Sequence, residues 1–494
     1  MTTDHRPQTT DPATIRRPSS VVRRRPAADS ALSLGLLIGV TAVLAGVVLA
    51  FGGPIAGAAV LLGGATALLV LRNIELGFFA VIAVVALLPF ATLPVDIGLT
   101  PTFLDFALAA AIGVWLLGIV TGRQRRLVTA PVALPLVLFI IVAVFAFIFG
   151  LANGPLTPTL LRKFAELLLS LGFVLVVIDY CRTWTRLERL VKFLLLMGAG
   201  AAIVAIGLWL LPDDTANSAL TALTRLGYPG GWVIRYIEEN PELSERAIGT
   251  SVDPNSLGGL LLMIGALVGP QAATRQPVFR RPVVLGIAGL VFVALVLTFS
   301  RGAMLGLAAG LGFVALARYR RLLPYMIAAG LLMLLLPVTQ AYIGRFMEGF
   351  QGSDLATQMR FGEYKDALRL IARYPVFGVG FAGSPDIDLY TAVASVYFTI
   401  AGRMGLFGLS AFFGVVGAVF VYAFRNRKAA RVDERKDAVW LGLHAALIGA
   451  LVAGVFDHYL FNMDFHHAVT IFWMMLGMAV AGTRLVAEEE RKHG

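Results

Sequence analysis

The chain of 494 residues is predicted to be an all-α, polytopic membrane protein, and three observations lead there. Hydrophobic residues make up 58% of it and charged residues 14%, with a mean hydropathy of +0.81. A soluble domain sits near 45–50% apolar and about 25% charged, so this chain would expose more apolar surface than water tolerates. Apolar runs of the roughly 20 residues that a helix needs to cross the hydrocarbon layer recur from residue 31 almost to the end. Clusters of Lys and Arg separate these runs. A cytosolic enzyme and a disordered scaffold are excluded. The single cysteine, Cys181, excludes a disulfide framework and a zinc–thiolate site.

Residues 1–30 are polar, with Arg16-Arg17 and Arg23-Arg24-Arg25 set among prolines, the composition of a disordered basic cytoplasmic tail. The apolar run that follows is expected to be a retained anchor and not a cleaved signal. Fourteen candidate spans form one membrane domain over 31–485: 31–51, 54–72, 76–94, 102–121, 131–152, 159–180, 188–211, 255–272, 282–299, 302–318, 321–337, 404–424, 437–456 and 467–485. A short tail, 486–494, closes the chain. With the N-terminus inside, the basic segments 6–25, 72, 123–126, 182–192, 275–281, 318–321, 425–436 and 484–492 all fall on the cytoplasmic side. That is the positive-inside bias, and it places both termini in the cytoplasm. The net charge of +11 is therefore read as topology, with some attraction to anionic lipid heads, and not as a nucleic-acid surface.

Two polar stretches break the pattern, 212–254 and 338–403, and both are expected outside. Long loops in a compact protein are usually functional, so the chemistry is expected on the outer face. The first stretch carries Arg246 and the aromatic residues Tyr228, Trp232 and Tyr236, candidate platforms for sugar rings. In the second, Tyr364, Ala367, Leu368 and Ile371 share one helical face and Arg360, Glu363, Asp366, Arg369 and Arg373 favour the other. That spacing predicts an amphipathic helix on the membrane surface, ended by Pro375.

The densest signal is Thr298-Phe299-Ser300-Arg301-Gly302. Two spans meet there with almost no loop, and Ser300 is a suitable N-cap for the second. A helix N-terminus offers backbone N–H groups and a positive dipole end, and Arg301 adds a forked permanent charge, the elements of a phosphate or pyrophosphate site. Gly302, Gly306 and Gly310 repeat every four residues and predict close packing of another helix. An Arg snorkelling to the headgroups is the plainer alternative. Arg360 is a further anion-binding candidate. Gly378 to Gly383 spells G-x-G-x-x-G, but Pro375 precedes it and Ser384-Pro385 follows, so a flexible turn is expected and not a dinucleotide fold. Asp386 and Asp388 form a D-x-D pair; metal binding there is the less favoured reading, and no metal or cofactor is expected. His458, His466 and His467 cluster with Asp457 and Asp464 near the last hairpin and could relay protons or simply be hydrated. Glu166 and His444 lie within spans, where either function or an interhelical hydrogen bond fits.

Three blocks together resemble the O-antigen ligase and polymerase family of bacterial polysaccharide assembly. They are Gly249-Thr250-Ser251-Val252-Asp253-Pro254-Asn255; Thr298 to Gly302 with Leu305; and the run from Arg360 through Tyr374 to Gly380, Ser395 to Phe398 and Gly405-Leu406-Phe407-Gly408. The resemblance covers roughly 190–480. It implies a glycosyltransferase of the lipid-phosphate-sugar type. Such an enzyme takes glycan from an undecaprenyl pyrophosphate carrier and passes it, with inversion, to an acceptor on the outer face of the cytoplasmic membrane. It implies that Arg301 faces the pyrophosphate; Ser300, Arg360, Arg403, Arg246 and Trp232 are the further candidates for binding the pyrophosphate and glycan. The ligases carry a histidine before the last block where this chain has Ala394, which favours a polymerase-like branch. Tyr397, His458 or Asp388 then becomes the candidate proton acceptor. A peptidoglycan polymerase-like enzyme and a transporter or flippase are the rival readings. Transporters commonly show inverted repeats and midplane charge, neither of which is evident here.

Overall fold

The computed structural model describes residues 1–2, 72–92, 100–122, 126–324, 327–328, 331, 355–384 and 393–493. The chain divides into two compact units, Met1–Gly64 and Ala65–Gly494. Of the first unit only residues 1–2 are described. Residues 3–71, which hold most of the expected tail and of the spans 31–51 and 54–72, and more than half of 321–337 lie outside the described residues, as do Asp386 and Asp388.

The described chain is helical, as the composition predicts. Its principal helices are α1 (Ile74–Leu87), α2 (Phe103–Val120), α3 (Ala133–Gly150), α4 (Pro158–Tyr180), α5 (Trp184–Trp209), α6 (Asp213–Thr221), α7 (Pro254–Ala273), α8 (Arg281–Leu297), α9 (Arg301–Ala317), α10 (Leu355–Arg373), α11 (Val396–Arg425), α12 (Glu434–Ala453) and α13 (His466–His493). Among the described residues, α2, α3, α5, α7, α11, α12 and the final helix are long and apolar enough to cross a membrane, and α1, α8 and α9 are shorter apolar helices. Local chemistry starts several of them. Thr102 and Asp105 form a reciprocal capping box at α2, and the Thr157 hydroxyl accepts the Leu160 N–H at 3.1 Å before α4. Proline occupies the first turn of α4, α7 and α8, where its missing N–H has no helical partner to lose.

Helix α13 runs through the centre, its apolar window wholly buried, with Trp473 fully enclosed. It packs on α4, α12, α11 and α1. Helices α7, α9 and α12 form a second tight group. The expected glycine contact is present there. A Cβ at Gly306 would lie 2.5 Å from the Gly449 carbonyl oxygen and one at Gly310 2.6 Å from that of Ala445, so α9 and α12 meet backbone to backbone.

Two expectations change. Helix α11 begins at Val396, eight residues before the predicted span, and breaks at Gly405, whose φ of +66° is open to glycine alone at little cost. The broken ladder exchanges hydrogen bonds with the segment after α10. Leu406 and Phe407 N–H donate to the Pro375 and Val376 carbonyls, and Val379 and Gly380 N–H donate to those of Gly402 and Arg403. The glycine-rich 378–383 segment is thus a fixed backbone wedge and not a flexible turn. Gly378 and Gly380 adopt φ of +68° and +78°, and Gly380 touches the backbone of Gly150 in α3.

The stretch 212–254 is a small folded cap and not an open loop. Helix α6 and a two-stranded antiparallel pair, β1 (Arg235–Tyr236) with β2 (Glu245–Arg246), close over Ala216, Leu220, Val233, Ile234 and Ile248. Tyr228 and Tyr236 are buried, and the Tyr236 hydroxyl donates to Asp213 at 2.5 Å, so neither is a sugar platform; Trp232 is 56% exposed and keeps that possibility.

Candidate active site

Helices α7 and α9 begin, and α12 ends, at one end of the bundle. The segment that opens α7 ties these pieces together, one residue per partner. Asp253 caps α7 by accepting the Ser256 N–H at 2.6 Å. The Asn255 side chain accepts from the Arg246 guanidinium at 2.8 Å, and Arg246 also donates to the Thr298 carbonyl at 2.9 Å. The Ser256 hydroxyl bonds His467 Nε2 at 2.7 Å. Gly258 lies against Ser300 and Ala303, and Gly259 against the Tyr459 ring, where any Cβ would clash. The 298–301 turn is therefore held by α7 on one side and by β2 on the other. A Cβ at Gly302 would lie 3.3 Å from the Phe456 Cβ, so the start of α9 is beside the hairpin that carries His458.

Two residues near this centre have strained backbones. Phe299 has φ of +53° and Val252 has φ of +55°, each one position before a capping residue. Left-handed geometry is uncommon for bulky residues, costs on the order of 1–3 kcal/mol, and concentrates at functional sites. Ser300 occupies the N-cap position with an extended backbone, but its buried side chain makes no capping bond, contrary to expectation. Its N–H is instead held by the Thr298 hydroxyl at 3.2 Å.

The other wall comes from α10, the residues before α11 and the hairpin after α12. Glu363 accepts the Ala394 N–H at 3.0 Å. The Tyr364 hydroxyl donates to the Ala394 and Val455 carbonyls, each at 3.2 Å. The Val396 N–H reaches the carbonyls of Gly454 and Asp457. Asp457 accepts the backbone N–H of His458 at 2.8 Å. His458 thus sits in a field of Asp253, Glu363, Asp464 and Arg403. Burial pushes its pKa below the usual histidine value against the pull of Asp253 and Glu363, so the ring is neutral near pH 7. Burial first, and the Asp457 carboxylate second, push Asp253 above the usual carboxylate range.

The remaining candidates divide. Arg403 lies 5.5 Å from the Phe381 ring centroid and lines a cavity of about 110 Å³ with Phe381, Phe398 and Thr399. Arg360 is in the first turns of α10, on the helix that supplies Glu363. Tyr397 is not brought to the turn. Its hydroxyl donates to the Leu451 carbonyl at 2.7 Å and its ring stacks on Phe413, a packing role between α11 and α12. The face of α10 turned inward holds Ala367 and Leu370, while Leu368, expected there, is exposed and Glu363 is bonded within the site.

The three histidines do not cluster. His467 joins Ser256, whereas His466 is buried against Ser170, Asp105 and Glu166. Asp105, Glu166 and His466 offer ligand atoms close enough for a metal ion, a grouping invisible in the sequence because the residues come from three distant helices. Arg162 already bridges both carboxylates as a counter-ion. His444 bonds the Trp440 carbonyl of its own helix at 2.7 Å and makes the interhelical contact that its position inside a span allowed with the Thr483 hydroxyl of α13 at 3.5 Å.

Residues 286–413 match the family model described as O-Antigen ligase. Over this stretch the chain is similar to that family. The stretch spans α8, α9, α10 and the first part of α11, and takes in Ser300, Arg301, Arg360, Asp388, Tyr397 and Arg403. The matched stretch is narrower than the 190–480 expected, and Trp232, Arg246, Asp253 and His458 lie outside it. No curated protein matches the chain. The similarity of residues 286–413 to this family supports a ligase or polymerase role in polysaccharide assembly at a coarse level, in a chain with several helices long and apolar enough to cross a membrane.

Proposed function

We propose that the protein transfers glycan from an undecaprenyl pyrophosphate carrier to a hydroxyl acceptor, at the outer face of the cytoplasmic membrane. The observation that carries this reading is the convergence of the Arg301 turn, Arg246 and the His458 hairpin on the opening of α7. The neutral His458 ring lies in the field of the Arg403 guanidinium, and the Arg301 turn and Arg246 meet at the same opening, a supply of cationic and basic groups suited to displacement of a pyrophosphate. The acceptor oxygen bonds to the anomeric carbon as the carbon–oxygen bond to pyrophosphate breaks, with inversion. The carrier pyrophosphate leaves with the bonding pair, and Arg301 stabilises the charge that develops on it. The acceptor proton passes to the neutral His458 imidazole, which takes the place of the histidine that Ala394 replaces. Asp253 and Glu363 stabilise the imidazolium that results. Arg403, and Arg360 on α10, extend the cationic field along the donor, and Trp232 offers a ring face to the glycan. No metal is needed, because the guanidinium groups supply the charge.

The polymerase-like branch is preferred on Ala394. Deleting the encoding sequence and profiling the carrier lipids tests it. Accumulated single-repeat carriers support a polymerase, and accumulated full-length polymer on the carrier supports a ligase. Purified protein in detergent that leaves carrier-linked glycan unconsumed, with acceptor supplied, would overturn glycosyl transfer itself and favour a transporter.

A further inference from the structure

At the opposite end of α7, α8 and α9 from the candidate site is an open cavity of about 910 Å³. Arg281, Arg318, Arg320, Arg321 and Arg431 line it, and among the described residues its lining includes no carboxylate. Arg318 is neutralised from behind by a two-bond pair with Asp437, at 2.9 and 3.1 Å. Arg320 donates from Nε to the Leu316 carbonyl at 3.3 Å. Arg281, Arg321 and Arg431 are exposed at the mouth. The floor is apolar and small, with Gly269, Ala272 and Leu316. It continues without a break, because Leu316 and Ala317 also belong to a second, shallow groove of about 630 Å³ along α9. That groove is lined by Ala309, Gly312, Phe313 and Ile448, and it is almost entirely apolar. Leu316, at the junction, is 59% exposed.

A guanidinium cluster that runs into an apolar furrow on a membrane helix has the chemistry of one molecule with an anionic head and a hydrocarbon tail. We propose that this is a binding site for an anionic glycerophospholipid, with the phosphate among Arg281, Arg321 and Arg431 and an acyl chain along Ala309, Gly312 and Leu316. Forked arginine donors match phosphate oxygens. Basic pockets between membrane helices hold such headgroups, and each arginine near the surface contributes to that attraction. A nucleotide or free phosphate would use only the charged half and leave the furrow empty. The charge bias along the chain makes this the cytoplasmic leaflet. The site is separated from the Arg301 turn by the length of α9, so it is independent of the proposed transfer reaction.

The test is native mass spectrometry of the delipidated full-length protein titrated with phosphatidylglycerol, phosphatidylcholine or inorganic pyrophosphate. Phosphatidylglycerol is expected to bind at least roughly tenfold more tightly than phosphatidylcholine. Replacing the three proposed phosphate ligands together (Arg281→Ala, Arg321→Ala, Arg431→Ala) should weaken it on the order of a hundredfold. Gly312→Leu should also weaken it, by blocking the furrow; a Cβ at Gly312 meets nothing within 4 Å, so the helix tolerates the change. Thermal unfolding of each variant is measured alongside. If the triple variant melts early, Gly312→Leu decides alone. Equal affinity for the two lipids, an unaltered affinity in Gly312→Leu, or competition by pyrophosphate at concentrations equal to those of the lipid would overturn the proposal.

Discussion

Gly306→Ala and Gly312→Ala are the same chemical change six residues apart on α9, and the structure separates them. At Gly306 the new methyl would stand 2.5 Å from the Gly449 carbonyl oxygen and 3.1 Å from the Ala453 Cβ. Ordinary contact begins near 3.4 Å, and the obstacle is backbone, which cannot rotate aside. Helices α9 and α12 must therefore part by nearly an ångström along their shared face. Overpacking of this kind costs about 1–3 kcal/mol, and the rigid obstacle places it near about 3. Replacing glycine by alanine inside a helix returns about 1 kcal/mol. A net loss of about 2 kcal/mol is expected for Gly306→Ala. At Gly312 nothing lies within 4 Å, so only the gain of about 1 kcal/mol remains. The protein carries its own reporter. Cys181 is the sole cysteine and is fully buried, so a thiol-reactive fluorophore signals unfolding on heating. Gly306→Ala should release the signal at a lower temperature than wild type, and Gly312→Ala at the same or a higher one. Because α9 carries Arg301 at its head, turnover should also fall in Gly306→Ala alone. A Gly306→Ala protein that melts at or above wild type would refute the backbone contact and the placement of Arg301 that depends on it.

Three further outcomes are expected. Arg301→Ala should lower turnover of carrier-linked glycan about a hundredfold, equivalent to about 3 kcal/mol at the transition state, and Arg301→Lys should also be impaired because it loses the forked donors; full turnover by Arg301→Ala at normal abundance would remove the anion site. His458 acts as a base only when neutral, and its folded pKa lies below the usual value of 6.5, so the rate should hold as pH falls to 6.5 and decline below it, and His458→Asn should abolish that limb; a limb centred above 6.5 in wild type contradicts the assignment. Single cysteines placed at Trp232 and at Val432 should be labelled from opposite sides of the membrane, Trp232 from outside, and labelling of both from one side would overturn the topology.

The membrane class and most spans were legible because a helix in lipid must satisfy its backbone internally and cover it with apolar side chains, and that requirement is written in composition. The Arg301 turn was legible for a related reason, since a charge between two spans with no loop departs from the local pattern. Glycines at four-residue spacing marked one packing face without naming the partner; that α12 fills it through Gly449 and Ala445 depends on which helices are neighbours. The start of α11 was misjudged because the run 396–404 looks like loop until the wedge after α10 supplies the hydrogen bonds that Gly405 breaks. Tyr397 read as a catalytic candidate from its place beside Ser395, whereas its hydroxyl points at the Leu451 carbonyl.

What the sequence determined by itself was therefore local and one-dimensional: hydropathy, charge alternation, caps and the glycine period. What only the tertiary structure decided was which distant residues share a volume. Asp253, Glu363, Arg403 and His458 lie on four separate stretches of chain, and no spacing rule links them. They meet because the start of α7, the middle of α10, the first turns of α11 and the hairpin after α12 converge, and burial there keeps the His458 ring neutral and leaves Asp253 reluctant to ionise.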